Sequence, residues 1–190
     1  MAKIEKLSPI IAKWEAGYVD DPKDKGGATN MGITIGTWRQ IGYDKDGDGD
    51  IDVHDIRLLD EHDFAAVLKI YWNKWQANRI VNQSVANILV DWVFTSGAWG
   101  IRIPQRILGL NEDGIVGPAT LNALNSGCQK ELFDKIFNAR KKFFNDIVTR
   151  SVLEYEKKIG RKSTESEKLK HTQKRFIKGW LNRLNDFKYS

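Results

Sequence analysis

A glutamate at the end of a helical pattern is the first residue of this sequence that could carry out chemistry. Apolar residues recur with helical spacing from Ile4 to Trp14, and Glu15 follows them directly. The negative end of a helix and the adjacent indole both disfavour a carboxylate anion, so they favour the protonated form that a general acid needs. The alternative is an exposed glutamate at a helix end, followed by a loop that only turns the chain.

The segment that follows Glu15 is rich in Gly, Asp and Thr and could complete a site around it. Thr29, Asn30 and Thr34 carry small hydroxyl and amide groups that could hold a water molecule or a ligand hydroxyl. The acidic residues of the segment could add a second carboxylate. The segment could therefore complete a polar site around Glu15, or it could only turn the chain.

A second cluster of acidic residues lies between Asp44 and Asp55. It fits the twelve-residue calcium-loop template, with Gly49 at the turn position and Asp in the last position, where Glu is usual. Five residues occupy ligand positions, one of them through its backbone carbonyl: Asp44, Asp46, Asp48, Asp50 and Asp55. We expect a structural Ca²⁺ site here, and the alternative is a solvated acidic loop.

Other kinds of catalytic or metal site are disfavoured. The three histidines do not show the H-E-x-x-H spacing of zinc hydrolases, and neither G-x-S-x-G nor a P-loop occurs. The single cysteine, Cys128, excludes an internal disulfide and a cysteine-based zinc site. We expect no organic cofactor.

Helical spacing recurs along the chain, and no segment alternates with period two for long, so the fold class is all-α. Short helices are predicted to begin near four residues with capping or helix-start character: Thr34, Asp60, Ser84 and Pro118. Two long helices are predicted at the end of the chain, over residues 129–159 and 164–185. The seam near residues 95–100 predicts two domains, 1–96 and 97–190.

Charge is distributed unevenly along the 190 residues. Up to Cys128 there are 17 acidic and 13 basic residues, whereas the rest of the chain has 17 basic and 8 acidic residues. A basic C-terminal part could bind nucleic acid, an anionic membrane or an anionic wall polymer, or its cations could simply cover solvated helix faces. No nucleic-acid-binding motif is present, so we expect no nucleic-acid partner.

Residues 15–34, "EAGYVDDPKDKGGATNMGIT", resemble the signature of glycoside hydrolase family 108, the bacterial and phage N-acetylmuramidases, in which the glutamate is catalytic. Further similarity to that family lies in "IYWNKW" and "DWVFTSGAWG". From about Trp99 the chain resembles the peptidoglycan-binding module usually fused to this enzyme, through "DGIVGPATLNAL" and "KGWLNRL". The resemblance implies a lysozyme-like helical catalytic part followed by a helical peptidoglycan-binding part.

The resemblance also implies hydrolysis of the β-1,4 bond between N-acetylmuramic acid and N-acetylglucosamine, with Glu15 as general acid. Glycoside hydrolysis usually needs a second carboxylate. Four residues are candidates for that role: Asp20, Asp21, Asp24 and Asp91. Alternatively, an inverting mechanism could position water with the hydroxyl of Thr29 or Thr34. Tyr18 is the first candidate for a flat surface under a sugar ring.

The expected partner is peptidoglycan, and the expected oligomeric state is a monomer. No apolar run approaches the roughly 20 residues that a membrane span needs, and the start lacks the features of a signal peptide. We therefore expect synthesis in the cytoplasm and action on the cell wall or periplasm after non-classical or holin-type release, as for a prophage endolysin. The alternative function is a non-catalytic peptidoglycan-binding or secretion-accessory protein.

Overall fold

The computed structural model describes residues 1–15, 17–19 and 27–190, and it describes Val19 through its backbone alone. Helices account for most of these residues, as the all-α prediction requires. The chain forms two compact units, Ala2–Arg79 and Ile80–Ser190, which we call the N-terminal unit and the C-terminal unit. No helix in the described ranges is long and apolar enough to cross a membrane.

The described part of the N-terminal unit contains four α-helices, and 3₁₀ turns at Ile4–Lys6 and Ala77–Arg79 flank them. The helices are α1 (Ser8–Ala12), α2 (Ile35–Ile41), α3 (Val53–Leu58) and α4 (Glu61–Lys74). The predicted starts are confirmed for α2 and α4. Thr34 caps α2, and Asp60 forms a reciprocal capping box with Asp63 at the start of α4.

A small antiparallel sheet adds to the predicted all-helical architecture. Its strands are β1 (Tyr18–Val19), β2 (Thr29–Asn30) and β3 (Ile33–Thr34), in the order β1-β2-β3. Each strand has two residues, which is too short for an alternating pattern to appear in the sequence. Met31 and Gly32 join β2 to β3 with φ values of 50° and 72°. Two positive φ values in a two-residue connection are the signature of a tight type I′ hairpin.

The C-terminal unit is built around one apolar helix and one long helix. Its α-helices are α5 (Gln83–Ser96), α6 (Trp99–Ile107), α7 (Pro118–Asn125), α8 (Gln129–Ile159), α9 (Glu165–His171) and α10 (Ile177–Asn185). Ten consecutive residues of α5, from Ser84 to Val93, are buried, and α5 packs against both α6 and α8. Because α5 packs inside this unit, the compact units divide before it, between Arg79 and Ile80. The domain seam predicted from the sequence, near residues 95–100, follows α5.

The two long C-terminal helices differ in continuity. The first matches the prediction and ends at Gly160, whose φ of 71° closes the helix in the left-handed conformation. The second is divided into α9, a 3₁₀ turn at Gln173–Phe176, and α10. Thr172 causes the break because its backbone is extended and its hydroxyl caps Lys174 instead of continuing the helix.

Candidate active site

Glu15 lies immediately after the last turn of α1. Its backbone N–H donates to the carbonyl of Ile11 at 3.2 Å, so the residue is still tied to the helix end. The side chain is half-buried. Glu15 thus lies three residues beyond Ala12, the last residue of α1, and has partial access to water.

The Glu15 side chain lies against the hairpin that joins β2 to β3. A Cβ added to Gly32 would lie 2.5 Å from Glu15 Cδ and 2.9 Å from Cγ, and it would overlap the carboxylate oxygen Oε2. Gly32 thus serves two purposes, since its φ of 72° favours glycine and its missing side chain makes room for the acid. The hairpin turn forms one wall of the Glu15 site.

The strand register places the predicted loop residues in two sets of paired positions across the sheet. Tyr18 is paired with Asn30 and Asn30 with Ile33, while Thr29 is paired with Thr34. Paired residues of an antiparallel sheet point to the same face, so the two threonines share one face. Thr34 is two residues from Gly32, about 7 Å along the strand. The sheet therefore holds the two hydroxyl groups near the turn that contacts Glu15.

The two threonine hydroxyls differ in how they are already used. Thr34 Oγ1 accepts the N–H of Thr37 at 3.1 Å as the cap of α2, and it lies 3.1 Å from the Thr37 hydroxyl. The Thr29 hydroxyl donates to the carbonyl of Gly27 across a long 3.4 Å. Of the two candidates for positioning water, Thr29 is therefore the one whose hydroxyl is less committed to the fold.

Tyr18 and Asn30 both have neighbours that sequence analysis missed. The guanidinium of Arg57 lies over the Tyr18 ring, 5.0 Å from its centroid, and so occupies one face of the candidate sugar platform. Asn30 is 8% exposed, and its side-chain amide donates to the carbonyl of Ile56 at 2.8 Å. That bond ties β2 to α3, so the Asn30 amide has a structural function here. No local pattern around α3 indicates either contact.

The candidates for a second carboxylate fall into two groups. Asp20, Asp21 and Asp24 lie outside the described residues. Asp91 lies in the C-terminal unit, is fully buried, and is bound by two arginines. Its Oδ2 accepts from Arg140 Nη2 at 2.6 Å, and its Oδ1 accepts from Arg183 Nη2 at 2.6 Å and Nε at 3.0 Å. Both oxygens of Asp91 are therefore used in a structural ion cluster.

The electrostatics of this cluster keep Asp91 charged. Burial alone would raise the pKa of Asp91, but the charges of Arg140 and Arg183 and their hydrogen bonds lower it below its ordinary value. The sequence does contain a signal for Arg140. It stands four residues after Ile136 and four before Phe144, on the buried face of α8, where a charged residue needs a partner.

The acidic loop is organised by hydrogen bonds from its own backbone. Asp44 accepts the N–H groups of Gly47 and Gly49 at 2.6 and 2.8 Å, while Asp46 and Asp48 each accept from a residue two positions ahead. The predicted ligands form two groups of carboxylates, Asp44, Asp46 and Asp48 in one and Asp50, Asp52 and Asp55 in the other. Asp52, the cap of α3, is a member that the prediction did not include.

Asp55 and Lys45 fix the two ends of this loop. The buried Asp55 carboxylate accepts from the N–H groups of Lys45 and Asp52 at 2.5 and 2.8 Å. Burial acts to raise the pKa of Asp55, but these backbone donors outweigh it and lower the pKa. The Lys45 ammonium pairs with Asp60 at 2.8 Å and also with Asp63, which connects the loop to the start of α4.

In the rest of the loop, neighbouring carboxylates raise pKa values instead of lowering them. The neighbouring Asp48 carboxylate, followed by partial loss of hydration, raises the pKa of Asp50. Partial loss of hydration and nearby carboxylates likewise raise the pKa of Asp46. The exposed part of the loop thus concentrates negative charge that a cation would relieve.

Comparison with known proteins assigns both halves of the chain to families. Residues 8–97 match the family described as glycosyl hydrolase 108, and residues 99–185 match the family described as predicted peptidoglycan domain. The fold is similar to the structure of Brucella abortus SagA, with a TM-score of 0.69 and 24% sequence identity over 96% of this chain and 90% of that chain. No curated protein matches the chain.

Proposed function

Because the chain is a glycosyl hydrolase of family 108 that continues into a peptidoglycan domain, we propose that it is an N-acetylmuramidase of the lysozyme type. It cleaves the β-1,4 bond between N-acetylmuramic acid and N-acetylglucosamine in the cell wall or periplasm. Glu15 is the general acid. Together, the two family assignments support a peptidoglycan hydrolase.

The observation that carries this proposal is the position of the Glu15 carboxyl group against Gly32. A general acid must reach the leaving oxygen of the substrate from a fixed position. The end of α1 holds the backbone of Glu15, and the hairpin turn holds its side chain. The half-buried side chain is also accessible enough to meet a ligand.

In this mechanism Glu15 donates its proton to the glycosidic oxygen while positive charge develops on the sugar ring. The second group is a carboxylate among Asp20, Asp21 and Asp24, or the reaction inverts with water held by a hydroxyl. For the inverting route the Thr29 hydroxyl is the better candidate, since Thr34 is engaged at the cap of α2. Asp91 is excluded from this role by its two arginine partners.

Analysis of the reaction products tests the proposed bond. Purified peptidoglycan is digested with the full chain, and the fragments are reduced with borohydride and identified by mass spectrometry. Muramidase activity yields disaccharide-peptides whose muramic acid is reduced. Products with a reduced glucosamine end, or with anhydromuramic ends, would contradict the proposal. Binding to peptidoglycan without release of fragments would favour the non-catalytic alternative.

We also propose that the acidic loop binds one structural Ca²⁺ ion. The side chains of Asp44, Asp46 and Asp48 lie close enough to share an ion, and Asp50 would add its backbone carbonyl. Asp55, which the sequence places in the last ligand position, lies in the other carboxylate group and would instead stabilise the loop around the ion through its bonds to Lys45 and Asp52. The site contributes to stability and not to the chemical step.

Calorimetric titration with Ca²⁺ tests this second proposal. The wild type should bind one ion and show a higher melting temperature with calcium than with a chelator. The double variant Asp46→Asn/Asp48→Asn should lose both effects, whereas Asp134→Asn, which removes an exposed carboxylate of α8, should retain them. A wild type that shows no binding heat and no thermal shift at millimolar Ca²⁺ would disprove the site.

A further inference from the structure

A surface groove in the C-terminal unit has the features of a ligand site to which no function is assigned. It lies between α6 and α8, with the end of α5 beside it, and has a volume of about 710 Å³. That volume is in the range of sites that hold small ligands. Almost all of its lining belongs to residues 99–185, the part assigned to the peptidoglycan domain.

The floor of the groove is apolar, and one wall is an exposed indole. Ile103, Phe143 and Ile147 contribute to the lining. Trp99 is 49% exposed, and its ring lies 6.5 Å from that of Phe143. The other six tryptophans, all of which lie in the described ranges, are buried or half-buried. An exposed indole beside an apolar floor is typical of a binding surface.

Three cations surround this floor, and they differ in how far their charge is neutralised. Arg106 makes a bidentate ion pair with Glu112 at 2.6 and 2.7 Å, and Lys142 pairs with Asp146 at 2.6 Å. Arg150 is exposed, and in the described part of the chain no ion pair or hydrogen bond engages its guanidinium. The groove therefore presents one uncompensated guanidinium, a group whose geometry suits a carboxylate.

The lining residues of α8 lie along one face of that helix. Lys142, Asp146 and Arg150 are spaced four residues apart and so lie on one face of the helix, over about 12 Å. This length suits a short extended peptide of three or four residues. A ligand with small apolar side chains and a free carboxylate at one end would match both the floor and Arg150.

We propose that this groove binds the acidic stem peptide of peptidoglycan, the short alanine-containing peptide that muramic acid carries. The proposal rests on the proposed function, since it specifies which part of the same polymer the C-terminal unit recognises. The methyl groups of the peptide lie on the apolar floor beside Trp99, and one of its carboxylates binds Arg150. A glycan strand fits less well because the apolar floor offers few partners for hydroxyl groups.

Direct binding measurements on the full chain test the proposal. The probes are the purified disaccharide-tetrapeptide that has muramic acid at its reducing end, and the same disaccharide without its peptide. Their one glycosidic bond runs from N-acetylglucosamine to muramic acid, so neither probe contains the bond from muramic acid to N-acetylglucosamine that is proposed to be cleaved. The tetrapeptide-bearing probe should bind at least about tenfold more tightly than the bare disaccharide. Arg150→Glu should weaken its binding by about tenfold or more, because a charge-assisted hydrogen bond is lost and repulsion replaces it.

The matched control is Lys141→Glu, which makes the same kind of charge reversal at an exposed position of α8 outside the groove lining. It should change affinity by less than about twofold, while Trp99→Ala should weaken binding of the tetrapeptide probe. Equal effects of the two charge reversals, no effect of Arg150→Glu, or equally tight binding of the bare disaccharide would overturn the proposal. If the wild type still hydrolyses intact peptidoglycan when one of these results is found, only the groove proposal fails and the proposed function is unaffected.

Discussion

The carboxyl group of Glu15 lies directly against the α-carbon of Gly32, at the turn that joins β2 to β3. The two residues are 17 positions apart, and a side chain at position 32 would force the Glu15 side chain to move. The turn therefore holds the proposed acid in position. Perturbing the turn should affect catalysis without removing any group that reacts.

Gly32→Ala tests this positioning role. The substitution should lower the free energy of unfolding by about 1 to 2 kcal/mol, because alanine is strained at positive φ, and it should also displace Glu15. Activity per folded molecule should fall at least about tenfold. Chemical denaturation measures the loss of stability, and clearing of a turbid peptidoglycan suspension measures the loss of activity.

Gly109→Ala is the control for strain alone. Gly109 has a φ of 71°, and nothing lies within 4 Å of a Cβ built on it. The Gly109→Ala variant should lose about as much stability as Gly32→Ala and keep its activity. If Gly32→Ala were as active as Gly109→Ala, the turn would have no role in placing the acid.

Asn30→Ala should affect stability more than activity. Loss of the amide leaves the buried carbonyl of Ile56 with only the long 3.5 Å hydrogen bond from the N–H of Leu59, which costs about 1 to 3 kcal/mol. Activity per folded molecule should change by less than about twofold. Asn73→Ala, at an exposed position of α4, should leave both quantities nearly unchanged. A large loss of activity in Asn30→Ala with normal stability would instead place Asn30 in substrate binding.

The ion cluster around Asp91 should be a major source of stability in the C-terminal unit. Asp91→Asn leaves the fully buried Arg140 without a counter-charge and should cost about 3 to 5 kcal/mol in the free energy of unfolding. Asp146→Asn removes an exposed ion pair with Lys142 and should cost less than about 1 kcal/mol. Urea denaturation compares the two, and equal losses would contradict a structural role for the buried cluster.

The same cluster predicts how stability depends on pH. The folded-state pKa of Asp91 lies below its value in the unfolded chain, about 3.9. The stabilisation is therefore complete above that value and is lost as pH falls through the lower, folded-state pKa. The difference in stability between wild type and Asp91→Asn should be large at pH 7 and smaller at pH 3. A difference independent of pH would show that the charge of Asp91 is not involved.

Local sequence patterns predicted the helices that have strong local signals. Thr34 and Gly42 bound α2, the capping box starts α4, and the apolar periodicity and Gly160 define α8. The hairpin around Gly32 was not predicted because its two-residue strands leave no periodic pattern. Such elements depend on turn conformation and on contacts with other segments.

Contacts between distant residues were the other part of the site that the sequence did not reveal. Asp91 was a candidate catalytic residue, but its partners Arg140 and Arg183 are 49 and 92 positions away. The Arg57–Tyr18 contact and the bond from Asn30 to Ile56 are of the same kind. Side-chain types indicate which chemistry is possible, whereas the tertiary partners decide which side chains remain available for it.

The most direct test of the account is the activity of Glu15→Gln, measured as release of reducing muramic ends from purified peptidoglycan. Removal of the general acid should lower the rate on the order of a hundredfold or more, while the variant still sediments with peptidoglycan. Glu5→Gln, at an exposed position before α1, should behave as the wild type. A Glu15→Gln variant that retained activity within a few-fold of the wild type would contradict the central claim that Glu15 is the catalytic acid.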